Sequence, residues 1–210
     1  MIANAYLHAA TSAATLVADP AVSAAWSAPS ALAGMSVGGL AAHLTSQIVS
    51  AARALDAAPT DVARVTIIEH YGRATWFGAS WDQETNTAIR AASESAAEEG
   101  PAAVAETASE ALAMLSVRLP DEPIDRSVRM PTGPWSLALD DFLITRMMEI
   151  AVHSDDLAVS VRIPTPELPE SVMVPVFDLL TRLSVRRHGH TAALRALSRA
   201  ERAPATISAL

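Results

Sequence analysis

The sequence predicts an all-α fold, a bundle of four long helices carrying a small helical C-terminal extension. Three observations carry that reading. Alanine, the strongest helix former, supplies 44 of the 210 residues. The apolar residues recur at spacings of three and four rather than two. Prolines gather between the periodic runs, at 120–134 and 164–169, where they would break a helix.

Taken in order, a first helix is expected from Ile2 to Ala18, stopping before Asp19-Pro20. Residues 20–35 read as a connector containing Trp26, Pro29 and Gly34. Ser36 is a good N-cap for a second helix, Val37 to about Ala57. A short helix is expected over Val65–Trp76 and a longer one over Asp82–Glu99. Gly100-Pro101 breaks that run, and Pro101 suits the first position of the next helix, to Arg118. Residues 119–135 hold four of the thirteen prolines, so they read as a loop with at most a short strand at Arg126–Met130. Ser136 is expected to cap a long helix ending near Val161. A stiff linker (Pro164, Pro166, Pro169) follows, then helices at Glu170–His188 and Thr191–Arg202 with Gly189 between them. The division predicted is a bundle domain over 1–163 and a linker with a C-terminal extension over 164–210.

Composition narrows the function. Half the residues are apolar and 18% are charged, which excludes a disordered chain. No apolar stretch reaches the ~18–20 residues of a membrane span, and no basic residue precedes Arg53, so the expected compartment is the cytoplasm. The net charge of −8 argues against nucleic-acid partners. The cluster Arg182, Arg186, Arg187, Arg195, Arg199, Arg202 reads as a solvated face or a docking surface. All fifteen basic residues are arginines, so a lysine Schiff base is excluded. With no cysteine, so are a protein thiol nucleophile, a disulfide and a Cys-type zinc site.

The helix ending near Val161 is the most informative. At ~100° per residue, Thr145, Arg146, Glu149, His153 and Asp156 share a stripe about 100° wide on a helix that is otherwise mostly apolar. Two readings fit. The stripe can be a solvated face with an ordinary Arg146–Glu149 pair. Or it faces inward, where Glu149 and His153 at i,i+4 aim a carboxylate and an imidazole at one point, a spacing that suits a divalent metal. His43 lies within the apolar face Val37, Leu40, Leu44, Ile48, Ala51 of the second long helix, so an interior His–Glu–His set can converge. His8 and His70 read as surface or supporting residues, and His188 and His190 flank a helix end.

Two stretches carry a resemblance. Trp26-Ser-Ala-Pro-Ser30 with Gly34-Met-Ser-Val-Gly-Gly-Leu-Ala-Ala-His43-Leu44 resembles the first metal-binding region of the mycothiol-dependent maleylpyruvate isomerase family, within the DinB-like bundle superfamily. Arg146-Met-Met-Glu149-Ile-Ala-Val-His153-Ser-Asp-Asp156-Leu157-Ala158 is similar to the family's second region. The run Arg187-His-Gly189, Arg195-Ala-Leu and Arg199 to Pro204 resembles a tail found in many relatives. The chain departs from the family at Gly39, where a charged residue is common, and the segment after the proline linker is shorter than the isomerase's C-terminal α/β domain.

The resemblance implies a DinB-like four-helix bundle that holds a divalent metal, expected to be Zn2+, through His43, Glu149 and His153. It also implies a low-molecular-weight thiol, mycothiol, as co-substrate in isomerisation or S-transfer on a small electrophile. Asp156 reads as the carboxylate that orients an imidazole from behind or as a surface or helix-packing residue. Arg146 is the candidate for pairing with Glu149 or with an anionic substrate, and Arg73 reads as a surface arginine or as the group that binds a substrate carboxylate. Trp26, Trp76 and Phe142 read as core residues or as cavity walls. The expected partners are therefore the electrophile and the thiol, in a monomer or homodimer with no nucleic acid or membrane. Two other classes stay open: a non-catalytic metal-binding bundle with a regulatory role, and a metal-dependent hydrolase.

Overall fold

The computed structural model describes residues 1–58, 60–74, 83–123, 125–131 and 133–210. In chain order the elements are α1 (Ile2–Val17), α2 (Pro20–Ala24), α3 (Val37–Asp56), α4 (Ile67–Arg73), α5 (Glu84–Ala97), α6 (Pro101–Arg118), β1 (Ser127–Arg129), β2 (Ser136–Ala138), α7 (Leu139–Val161), α8 (Glu170–His188) and α9 (His190–Ser198). Four long helices form the bundle: α1 and α3 each pack against both α6 and α7. Among the described residues the fold is all-α apart from one short antiparallel ribbon, in which Val128 sits opposite Leu137.

Side-chain caps begin α2, α3 and α4. Ser36 accepts a hydrogen bond from Gly39 N at 2.9 Å and so begins α3 where the sequence places it. The Glu94 carboxylate of α5 accepts from Ser36 N (2.6 Å) and Ser36 Oγ (2.8 Å), putting negative charge at the positive end of α3. The two glycines behind this cap are there for close approach. A Cβ on Gly38 would lie 2.6 Å from the Trp26 indole, and one on Gly39 would collide with the Glu94 carboxylate. Thr66 and Glu69 form a reciprocal capping box on α4.

The core lies between the bundle helices and runs on into the extension. Leu40, Leu44 and Ile48 of α3 and Leu143, Met147 and Ile150 of α7 are fully buried, and Val172, Val176 and Leu183 of α8 join the same cluster. Helix α8 packs on α7 and α1, and α9 packs on α8. Between them Gly189 has φ +84°, a conformation that a side chain would strain.

The structure differs from the sequence reading at several edges. The connector at 20–35 contains α2, capped by Asp19. Helix α7 begins at Leu139 rather than at Ser136, because Ser136 is a buried strand residue: its N–H donates to Ala63 O and its Oγ to Val62 O. The short helix ends at Arg73, the next one starts at Glu84, and the final helix ends at Ser198 with a short 3-10 turn after it.

Candidate metal centre and its cavity

Helices α3 and α7 face each other across the bundle, and the polar stripe of α7 points inward. His43 lies in the second turn of α3, and Glu149 and His153 occupy successive turns of α7. Glu149 Oε2 is 3.2 Å from His153 Nε2 and 3.9 Å from His43 Nε2. One potential ligand atom from each of the three residues falls within a group no wider than 4.8 Å. The two imidazole rings are 4.7 Å apart and nearly perpendicular, at 83°.

Partners behind the rings set which nitrogen faces the centre. Asp156 Oδ2 is 3.0 Å from His153 Nδ1, and Ser93 Oγ is 3.4 Å from His43 Nδ1. Both imidazoles therefore turn Nε2 toward Glu149, the arrangement in which an outer carboxylate or hydroxyl fixes a metal-binding histidine. The inward stripe leaves an electrostatic signature. Burial opposes ionisation of Glu149, but hydrogen bonds with His153 and His43 overcome it and hold its carboxyl well below the usual range. Burial also opposes charge on His153, yet bonding to Asp156 and Glu149 raises its pKa to about 9.

The donor set fits a divalent ion. Zinc ligands at ~2.1 Å in tetrahedral array put donor atoms ~3.4 Å apart, and two imidazoles with one carboxylate leave a fourth position open. The 3.2 and 3.9 Å separations bracket that spacing. The cluster offers two nitrogen donors and one oxygen donor, which suit zinc and its neighbours.

The three residues line a cavity of about 720 Å³ walled by α3, α5, α7, the connector before α3 and the β1 region. Its charge is one-sided. Arg53, Arg90, Arg129, Arg146 and Arg187 line it, whereas Glu149 is the only acidic side chain among its described lining residues. Arg187 comes from the C-terminal arginine cluster, whose six residues are all exposed, and it also reaches the cavity.

Other expected residues are placed as follows. Arg146 donates to Gln47 Oε1 at 2.7 Å and to Thr145 Oγ1 at 3.1 Å, with its guanidinium 5.5 Å from the Phe142 ring centroid. No Arg146–Glu149 ion pair forms among the described residues, and Arg146 instead lines the cavity. Arg73 lies over the Trp135 ring at 5.7 Å and is not among the described lining residues. Phe142 lines the cavity. Trp26 instead packs on Gly38 and donates to Ala97 O, and Trp76 lies outside the described residues. His8 is exposed, as expected. His70 is not a surface residue: it is 1% exposed, bonded to Trp135, and part of the cavity wall. The spacing of Ile67, His70 and Tyr71, all buried on one face of α4, is the sequence signal that marks it.

Comparison with known proteins gives no match among curated proteins and none among solved structures. One family model does match, the mycothiol maleylpyruvate isomerase N-terminal domain, over residues 6–158. That span starts within α1, ends within α7, and contains His43, Glu149, His153 and Asp156. The chain belongs to the mycothiol maleylpyruvate isomerase N-terminal domain family.

Proposed function

We propose that the protein is a metal-dependent enzyme that uses mycothiol to carry out S-transfer or isomerisation on a small, anionic electrophile. The observation that carries this reading is the His43–Glu149–His153 cluster opening onto an arginine-lined cavity. His43, Glu149 and His153 would hold the ion, expected to be Zn2+, with Asp156 fixing His153 from behind. A divalent ion bound there supplies positive charge that lowers a thiol's pKa from ~8.5 toward neutrality.

The chain's own residues do the rest. With no cysteine present, the sulfur nucleophile must come from outside, and the thiolate adds to the electrophilic carbon of an activated double bond or epoxide. The arginine field favours the thiolate over the thiol and attracts a carboxylate-bearing substrate. Arg146, held by Gln47 and Thr145, offers its remaining donors to that carboxylate in fixed orientation. The cavity volume is of the size that holds a small ligand together with part of its co-substrate.

The test is turnover of small electrophilic acids with mycothiol, with another thiol and with none, before and after chelation. The reading predicts activity that needs both thiol and metal. Equal rates without thiol would move the protein to the hydrolases, and metal binding with no turnover would favour a non-catalytic bundle.

A further inference from the structure

A second group in the same cavity is unused by the scheme above. Trp135 Nε1 lies 3.0 Å from His70 Nδ1. An indole N–H can only donate, so Nδ1 must be the unprotonated nitrogen and Nε2 carries the ring proton. That Nε2–H has no hydrogen-bond partner among the described residues, although the ring is 1% exposed and belongs to the cavity wall. Burial and the nearby Arg146 charge lower the pKa of His70 to about 4, so the ring stays neutral at physiological pH.

The surroundings fix this donor. Trp135 is held between His70 and the Arg73 guanidinium, and the neighbouring Tyr71 hydroxyl reaches Met148 Sδ at 3.9 Å, beside Glu149 on α7. Helix α4 is thus tied to α7 close to the candidate metal centre. A neutral imidazole with a dictated tautomer can polarise a carbonyl without giving up its proton.

We propose that His70 is a further catalytic residue, whose Nε2–H donates a hydrogen bond to the carbonyl oxygen of a conjugated electrophile. This rests on the thiol-addition reading. As the thiolate forms its C–S bond, the π pair of the C=C bond shifts onto the carbonyl oxygen, and the His70 Nε2–H stabilises that oxyanion. In isomerisation the pair returns and the thiolate leaves after rotation about the carbon–carbon bond. In transfer the adduct takes a proton from water and keeps the sulfur.

The experiment has two arms on the full-length, zinc-loaded protein. In the first, His70→Phe lowers kcat about 100-fold, in the range of a lost oxyanion donor, with metal content and KM little changed. His70→Gln, which can place an N–H near the Nε2 position, recovers most of that loss. A His70→Phe kcat within threefold of wild type, or a His70→Gln variant as impaired as His70→Phe, would overturn the proposal. In the second arm, imidazole 15N NMR shows His70 protonated at Nε2 alone from about pH 6 to pH 8, and added pyruvate shifts that proton. A proton on Nδ1, or no response to pyruvate, refutes the donor role even if the variants cannot be purified. Should wild type show no thiol-dependent turnover, the function reading fails by itself while the NMR arm still decides the role of His70.

Discussion

Replacing Asp156 probes how the candidate metal centre is built. Its Oδ2 is 3.0 Å from His153 Nδ1, a charge-assisted contact at a site with side-chain exposures of 15% for His153 and 29% for Asp156. Losing such an outer partner typically lowers metal affinity 10- to 100-fold, or ~1.4–2.7 kcal/mol. Asp156→Asn keeps an acceptor and removes the charge, so it falls near the lower bound. Asp156→Ala removes both and falls near the upper one. The direction depends on pH. In the metal-free protein His153 is protonated up to about pH 9, so metal binding must release that proton. Removing Asp156 weakens the donor but also lowers the pKa of His153, which makes the proton easier to displace. The two effects oppose each other at pH 7, and at pH 9, where His153 is already half deprotonated, little of the second remains. Titration with chelator-buffered zinc should therefore show a larger defect at pH 9 than at pH 7. An Asp156→Ala protein binding zinc within twofold of wild type at pH 9 would refute the reasoning.

Gly38→Ala should destabilise the protein by about 2 kcal/mol, despite alanine's helix preference of ~1 kcal/mol, because the new methyl displaces the Trp26 indole and its bond to Ala97 O. Thermal melts should show a drop of ~4–8 °C, and an unchanged or raised Tm would contradict the close-approach account. His70 is neutral in the fold and charged in the unfolded chain between its folded pKa of about 4 and its ordinary 6.5, so stability falls as pH drops through that window. By pH 5 the loss is ~2 kcal/mol, and His70→Gln should remove it in denaturant titrations; an equal acid loss in the variant would count against the buried neutral ring. Arg146→Ala should raise KM for an anionic substrate with zinc content unchanged, whereas Arg73→Ala, which lies behind Trp135, should move KM less. Equal effects from the two would undo that placement.

The parts legible in the sequence are those set by local spacing. Ser36 ahead of an apolar run fixed the start of α3, and the i,i+4 interval of Glu149 and His153 put both side chains on one face whatever the tertiary context. That the face turns inward was not decidable from α7 alone; it needed His43 on α3, 106 positions earlier. The start of α7 is not legible locally, because Ser136 is a good cap in isolation. Its bonds to Val62 and Ala63 come from a segment more than seventy residues away, and local pattern cannot show them. His70 reads from the sequence as a surface or supporting residue and no more, since the Trp135 contact that dictates its tautomer spans 65 residues. Arg146 has a partner on its own helix within reach in sequence, Glu149, yet binds Gln47 across the bundle.

The central claim is that His43, Glu149 and His153 hold one divalent ion with a position left open for a thiol. Zinc K-edge X-ray absorption on the zinc-loaded protein, recorded before and after adding mycothiol, tests it most directly. The account predicts a first shell of nitrogen and oxygen at ~2.0–2.1 Å that includes two imidazoles, gaining one sulfur at ~2.3 Å when the thiol is added. A shell unchanged by mycothiol, or the same two-imidazole shell in a His43→Ala, His153→Ala protein, would contradict it.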